Sequence, residues 1–324
     1  MSARAEGAQA LAFDCEGARL QGVLHPGAPA AATGVLVVVG GPQYRVGSHR
    51  QFVLLGRALA ARGIPVLRFD YRGLGDSGGE VRTFESIDAD IRAALDEFLR
   101  RVPGLQRVVI WGLCDAASAA LFYAPTDARV AGLVLLNPWV RSQKTVAQAY
   151  LRSYYVRRSF DSQAWRELLF GSKSVLTAVV SFVQLVRHAV GASATSSSAD
   201  PTSGPGSARG QADTAGVEPA SPLVLRMRRG FAAFRGRILI ILSGDDITAS
   251  EFVGASGSPE WRKLLEHPRV SCRTLEAADH TFSTRAWRDQ VASWTGDWLQ
   301  GHWPPGRVLA RAATAADGAG ASAA

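Results

Sequence analysis

Short runs of valine, isoleucine and leucine recur along this chain, and between them apolar positions return every three or four residues. That alternation predicts strands separated by helices. The first two runs, Leu11–Cys15 and Leu20–His25, flank Glu16-Gly17 and read as an antiparallel hairpin at a sheet edge. Gly34–Gly41 is apolar throughout and predicts a buried strand that ends in glycines. Ser48 is expected to cap a helix running to about Ala61, and Pro65–Asp70 is the next strand. Ile87, Ile91, Leu95, Phe98 and Leu99 share one face of a helix over 84–100. Val108–Ile110, Val130–Leu136, Arg237–Leu242 and Val270–Leu275 are further strands, with helices expected over Ala116–Leu121, around Pro259–Glu266 and through Trp298. Such alternation specifies an α/β fold with a mostly parallel central sheet and helices on both faces. Ligands of such sheets bind beyond the carboxyl ends of the strands. The loops after Val39, Ile110, Leu242 and Leu275 should therefore share one side of the molecule.

The rhythm breaks near residue 139 and resumes near 231. The expected organisation is a core from 1–138 and 231–303, an insertion over 139–230 and a loose tail over 304–324. Within the insertion, Ser174–Val190 is strongly apolar on one side and reads as a lid helix over a pocket; the same face would suit a peripheral membrane contact. Residues 191–222 are rich in Ala, Ser, Gly, Pro and Thr, a composition expected to stay disordered.

Composition narrows the function classes. The 324 residues are 47% hydrophobic and 20% charged, an ordinary globular balance. The net charge of +8 rests on scattered arginines, with lysine only at 144, 173 and 263, and no basic stripe interleaved with aromatics suggests a nucleic-acid surface. Three cysteines, Cys15, Cys114 and Cys272, form no CxxC pair, so neither a disulfide framework nor a zinc site is expected, and no cofactor motif is present. The opening residues lack the apolar core of a signal peptide, and no apolar stretch reaches the ~18 residues of a membrane span, which together suggest a cytoplasmic protein. Its oligomeric state is open.

Gly112-Leu-Cys-Asp-Ala116 joins the Val108–Ile110 strand to the following helix with the small-x-nucleophile-x-small spacing of a nucleophile elbow. Cys114 holds the nucleophile position and Ala116 replaces the usual second glycine. A helix N-terminus favours a thiolate, so a cysteine is chemically apt there; the plain alternative is a buried structural cysteine. In elbow folds the acid and the histidine follow in chain order. Of the six histidines, His280 alone lies between the last strand and the last helix and is the candidate base, whereas His267 and His302 are expected to be solvated. Asp246 is the candidate acid, with Asp245 as runner-up and Asp279 as a helix-capping bystander. The N–H of Asp115 is expected to form half of an oxyanion hole, and Gln43, rather than Pro42 with no N–H, the other half. His49 and Arg72 are candidate substrate contacts. Asp70–Ser77 lacks a Walker lysine and reads as a structural loop beside the site.

Four segments, Val39–Gln51, Asp70–Ser77, Trp111–Ala117 and Leu242–Phe252, resemble the α/β-hydrolase superfamily, and more closely the exosortase A system-associated hydrolases of type 1. That resemblance implies a helical lid and a hydrolase linked to bacterial exopolysaccharide biosynthesis and exosortase-dependent sorting. The expected activity is hydrolysis of a small-molecule ester or thioester through Cys114, His280 and Asp246. An acyltransferase using the same chemistry on a sugar or carrier, and a non-catalytic binding protein that keeps the fold, are the rival readings.

Overall fold

The computed structural model describes residues 7–41, 43–140 and 221–304. Its centre is one eight-stranded sheet in the order β1-β2-β4-β3-β5-β6-β7-β8. β1 (Gln9–Cys15) and β2 (Ala18–His25) form the predicted antiparallel hairpin, with Gln9 opposite Leu24 and Cys15 opposite Ala18. β2 is also antiparallel to β4 (Val66–Asp70). From there the ladder is parallel through β3 (Thr33–Val38), β5 (Arg107–Leu113), β6 (Val130–Leu136), β7 (Arg237–Ser243) and β8 (Val270–Leu275). The inner strands are covered on both faces, which is why they read as unbroken apolar runs rather than alternating ones. Val35–Val39, Val108–Ile110 and Leu133–Leu136 are all without exposure.

The helices are α1 (Gln51–Ala61), α2 (Asp88–Arg101), α3 (Asp115–Tyr123), α4 (Pro222–Ala233), α5 (Ile247–Ala255), α6 (Pro259–Leu265) and α7 (Arg285–His302). Three differ from expectation. Ser48 opens a short 3-10 turn and makes no side-chain cap; α1 begins after Arg50, which is left-handed at φ 59°. α4 begins at the edge of the stretch expected to be disordered, capped by Ser221 and preset by Pro222 at its first position. It buries Val224, Met227 and Phe231, and packs so tightly on α3 that a Cβ at Gly230 would lie 2.2 Å from the Leu121 carbonyl oxygen. That contact puts the resumption of the core near residue 221, ahead of the expected 231. α5 was also unforeseen, because its Ile-Thr-Ala-Ser-Glu-Phe-Val sequence carries little helical periodicity. The expected lid helix, most of 191–222 and nearly all of the tail lie outside the described residues.

Among the described residues, no helix is long and apolar enough to cross a membrane, and no cluster of three or more His, Cys, Asp or Glu could hold a metal ion.

Candidate active site

Cys114 sits on the tight turn from β5 into α3 with φ 63° and ψ −125°, a conformation that L-residues avoid unless the surroundings enforce it. The enforcement is visible. The Cys114 N–H donates to the Leu136 carbonyl at 2.8 Å, and its own carbonyl accepts from Ala117 at 3.0 Å and Trp139 at 3.2 Å. A Cβ at Gly112 would lie 2.7 Å from the Ala116 carbonyl, so strand and helix close on each other only because that position is bare. Ala116 is fully buried in the same corner, where its methyl group is accommodated without the usual second glycine. Of the three free cysteines, Cys15 is buried, Cys272 is exposed on the edge strand and Cys114 is partly accessible.

His280 lies on the loop between β8 and α7. Its Nδ1 meets Asp246 Oδ2 at 2.9 Å. Burial disfavours the charged imidazole, but hydrogen bonds to Asp246 and then to Cys114 outweigh it and lift the His280 pKa to about 10. With Nδ1 engaged by Asp246, Nε2 is the nitrogen left for Cys114. The structure thus joins Cys114, His280 and Asp246, and it is Asp246 rather than Asp245 that the imidazole meets. Asp246 is also the N-cap of α5, accepting from Thr248 at 3.2 Å and Ala249 at 3.1 Å. The loop carrying it passes so close to the next strand that a Cβ at Gly244 would lie 2.0 Å from the Glu276 carbonyl oxygen.

Asn137, to which the sequence reading gave no role, fastens these pieces together. It is fully buried at the end of β6 with φ 42°. Its Oδ1 accepts from the Ser243 N–H at 2.8 Å, and its Nδ2 donates to Ser243 Oγ at 2.9 Å and to the His280 carbonyl at 3.1 Å. Ser243 Oγ in turn donates to the Asp279 carbonyl at 2.8 Å. Asp279 is not a helix cap as expected. It folds the histidine loop by accepting from the amides of Thr281 at 3.1 Å and Ser283 at 3.0 Å, while Thr284 caps α7. An asparagine ending an apolar strand, a residue type that tolerates positive φ, was the available signal.

Other expectations need correcting. The Gln43 N–H donates to the Gly40 carbonyl at 3.3 Å within its own turn. The neighbouring amide that faces the elbow is that of Gly41, which donates to Asp115 Oδ2 at 2.9 Å. Arg72 is buried and fully engaged: its side chain forks onto both oxygens of the unexposed Asp90, also pairs with Glu16, and is therefore structural rather than a substrate contact. His49 is exposed at φ 52°, its carbonyl held by Arg288 at 3.0 Å, and no described hydrogen bond joins its imidazole to the site. His302 is not solvated but packs edge-on against Trp298, ring centroids 5.3 Å apart. The Asp70–Ser77 loop is structural, as expected. Asp70 is buried without exposure, accepts from the Arg45 amide at 2.5 Å and pairs with the Arg45 guanidinium.

Asp115 lies beside the nucleophile. Burial raises its carboxyl above the ordinary range, with the amides of Gly41, Ala116 and Asp115 itself pulling the other way. The buried Tyr71 phenol is pushed up to about 12 by desolvation and then by the nearby Asp115 charge.

A family model described as serine aminopeptidase, S33, matches residues 31–190, just under half of the chain. No curated protein matches it. Among solved structures, the chain is similar to the esterase Pf2001 of Pyrococcus furiosus at 15% identity and a TM-score of 0.57, covering 91% of this chain and 92% of that one. It is also similar to Est1E of Butyrivibrio proteoclasticus, solved with ferulic acid, at 14% identity and a TM-score of 0.55, covering 90% and 98%. GrgF, an alpha/beta hydrolase from Penicillium sp. sh18, aligns at 14% identity and a TM-score of 0.56 over 92% and 99%. Sheet order, elbow and these likenesses agree: the chain has the α/β-hydrolase fold.

Proposed function

We propose that this protein is an acyl hydrolase of esters or thioesters in which Cys114 is the nucleophile, His280 the base and Asp246 the group that orients it. The observation that carries this reading is the contact of His280 Nδ1 with Asp246 at 2.9 Å, in an imidazole whose pKa Asp246 and the nearby Cys114 together raise. The matched hydrolase family model, which spans the elbow, supports it as well. His280 Nε2 takes the thiol proton and the sulfur adds to the acyl carbonyl carbon. The tetrahedral oxyanion is received by the amides of Gly41 and Asp115. Collapse breaks the bond to the leaving group, which departs with the proton from His280. Water, deprotonated by the same imidazole, then cleaves the acyl-Cys114 thioester. Because a thiolate is itself a good leaving group, thioesters and reactive esters suit this site better than amides. The motifs resembling the exosortase A system-associated hydrolases support a role linked to bacterial exopolysaccharide biosynthesis and exosortase-dependent sorting.

The experiment is intact-mass spectrometry after brief exposure to a panel of acyl thioesters and activated esters, comparing the unmodified protein with Cys114→Ala and His280→Ala. An acyl adduct on Cys114 that forms more slowly without His280 is the expected result. No adduct, with Cys114 alkylating no faster than exposed Cys272, would favour a binding protein.

A further inference from the structure

An oxyanion hole works because its N–H groups are aimed in advance at the place where negative charge develops. Here those groups already face a negative charge. The Gly41 N–H donates to Asp115 Oδ2 at 2.9 Å, and the amides of Asp115 and Ala116 act on the same carboxylate. The other oxygen, Asp115 Oδ1, is buried and has no hydrogen-bond partner. Room for it exists only because residue 40 is glycine: a Cβ there would lie 2.1 Å from Asp115 Oδ1. A carboxylate oxygen and a substrate oxyanion cannot share these donors, since two like charges at contact distance repel strongly wherever water is excluded.

From this we infer that the Asp115 carboxylate fills the oxyanion hole of its own site and must swing out before an acyl carbonyl is activated, so that Asp115 governs which acyl compounds react with Cys114. The inference rests on the nucleophile reading above. It separates two kinds of chemistry at one sulfur. Iodoacetamide reacts by direct displacement: the C–S bond forms as iodide leaves, no oxyanion arises, and the hole is not used. A thioester reacts through a tetrahedral oxyanion, which needs the donors that Asp115 holds. Acyl groups that bind strongly enough to displace the side chain react, and small acyl groups are held back.

The test compares the unmodified protein with Asp115→Ala and with Asp115→Asn, which keeps the size and removes the charge. Rates of Cys114 acetylation by S-acetyl-N-acetylcysteamine and of alkylation by iodoacetamide are followed by mass spectrometry, and the Gly41 amide by NMR. In Asp115→Ala the acetylation rate is expected to rise at least about tenfold, well within the ~100–1000-fold that one oxyanion donor is worth. Alkylation should change by less than about threefold, since it draws nothing from those donors. Asp115→Asn should fall between, and the Gly41 amide proton should move upfield in both variants. Where Cys114 acetylates at all, a rate that stays level or drops in folded Asp115→Ala overturns the inference, and so does a Gly41 amide that does not move. If Gly41 moves as expected but no variant acetylates at Cys114, the carboxylate does hold the hole and it is the nucleophile reading that fails.

Discussion

Asn137 donates from Nδ2 to the backbone carbonyl of His280 at 3.1 Å, across 143 positions of sequence. One amide side chain thereby locks the end of β6 to the end of β7 and to the loop that carries the candidate base. Its replacement by alanine strands the Ser243 N–H and the His280 carbonyl in a dry corner, a cost of about 1–3 kcal/mol. Asn137→Ala should therefore unfold at lower urea and should also lower the His280 pKa, because the loop no longer holds the imidazole against Asp246. A lowered unfolding midpoint with an unaltered His280 titration by NMR would leave Asn137 a purely structural residue.

The proton on His280 makes a prediction of its own. The folded imidazole titrates near 10 against 6.5 for the unperturbed group, so the native state binds this proton more tightly than the unfolded chain does. The resulting stabilisation is complete below about pH 6.5 and is lost as pH rises through the folded value of about 10. The stability gap between the unmodified protein and His280→Gln should accordingly narrow as the buffer is raised across that window. In Cys114→Ala the His280 titration should move down without collapsing, since Asp246 remains. A titration that ignores the loss of Cys114 would separate the two side chains.

Asp246 holds both the imidazole and the first turn of α5, and two substitutions tell those roles apart. Asp246→Asn keeps a side-chain oxygen for the first turn of α5, so the helix cap should largely survive, while the His280 pKa falls, the proton-linked stabilisation falls with it and acylation slows. Asp246→Ala should add the loss of a helix cap, about 1 kcal/mol. Asp245→Asn should leave the His280 titration in place; if it alone abolishes that titration, the two aspartates have been assigned the wrong way round.

Arg72 should matter to folding and not to chemistry. Removing it by Arg72→Met leaves Asp90 buried and uncompensated, a loss of about 3–5 kcal/mol. Equilibrium unfolding is expected to show that loss, while the alkylation rate of Cys114 in the folded fraction stays level. A folded variant of full stability would mean that Arg72 is not the counter-charge that keeps Asp90 in the core.

Most of this architecture can be read from the chain because the inner strands are buried on both sides and leave unbroken runs such as Val35–Val39 and Leu133–Leu136. Chain order and strand ends sufficed to propose Cys114 and His280 and to narrow the acid to Asp246 or Asp245, since a parallel sheet brings those loops to one side. Most of what escaped was decided by groups that carry no periodicity. α5 carries almost no helical periodicity, whereas α4, whose buried Val224, Met227 and Phe231 are periodic, was hidden by the low-complexity stretch that runs into its start. The fate of Arg72 turned on Asp90, eighteen residues away on a different element. The Gln43 amide was lost to a local turn, while the Gly41 amide took its place at the elbow, a matter of backbone direction that residue type does not encode.

The double duty of Asp246 also changes what its presence can testify to. A lineage that had abandoned chemistry altogether would still be under pressure to keep this aspartate, because discarding it unwinds the start of α5. The His280 side chain caps no helix, and its contact is with Asp246, beside Cys114. Among relatives of this protein, the histidine is therefore the witness to consult: where it is replaced and the aspartate remains, the fold has outlived the reaction.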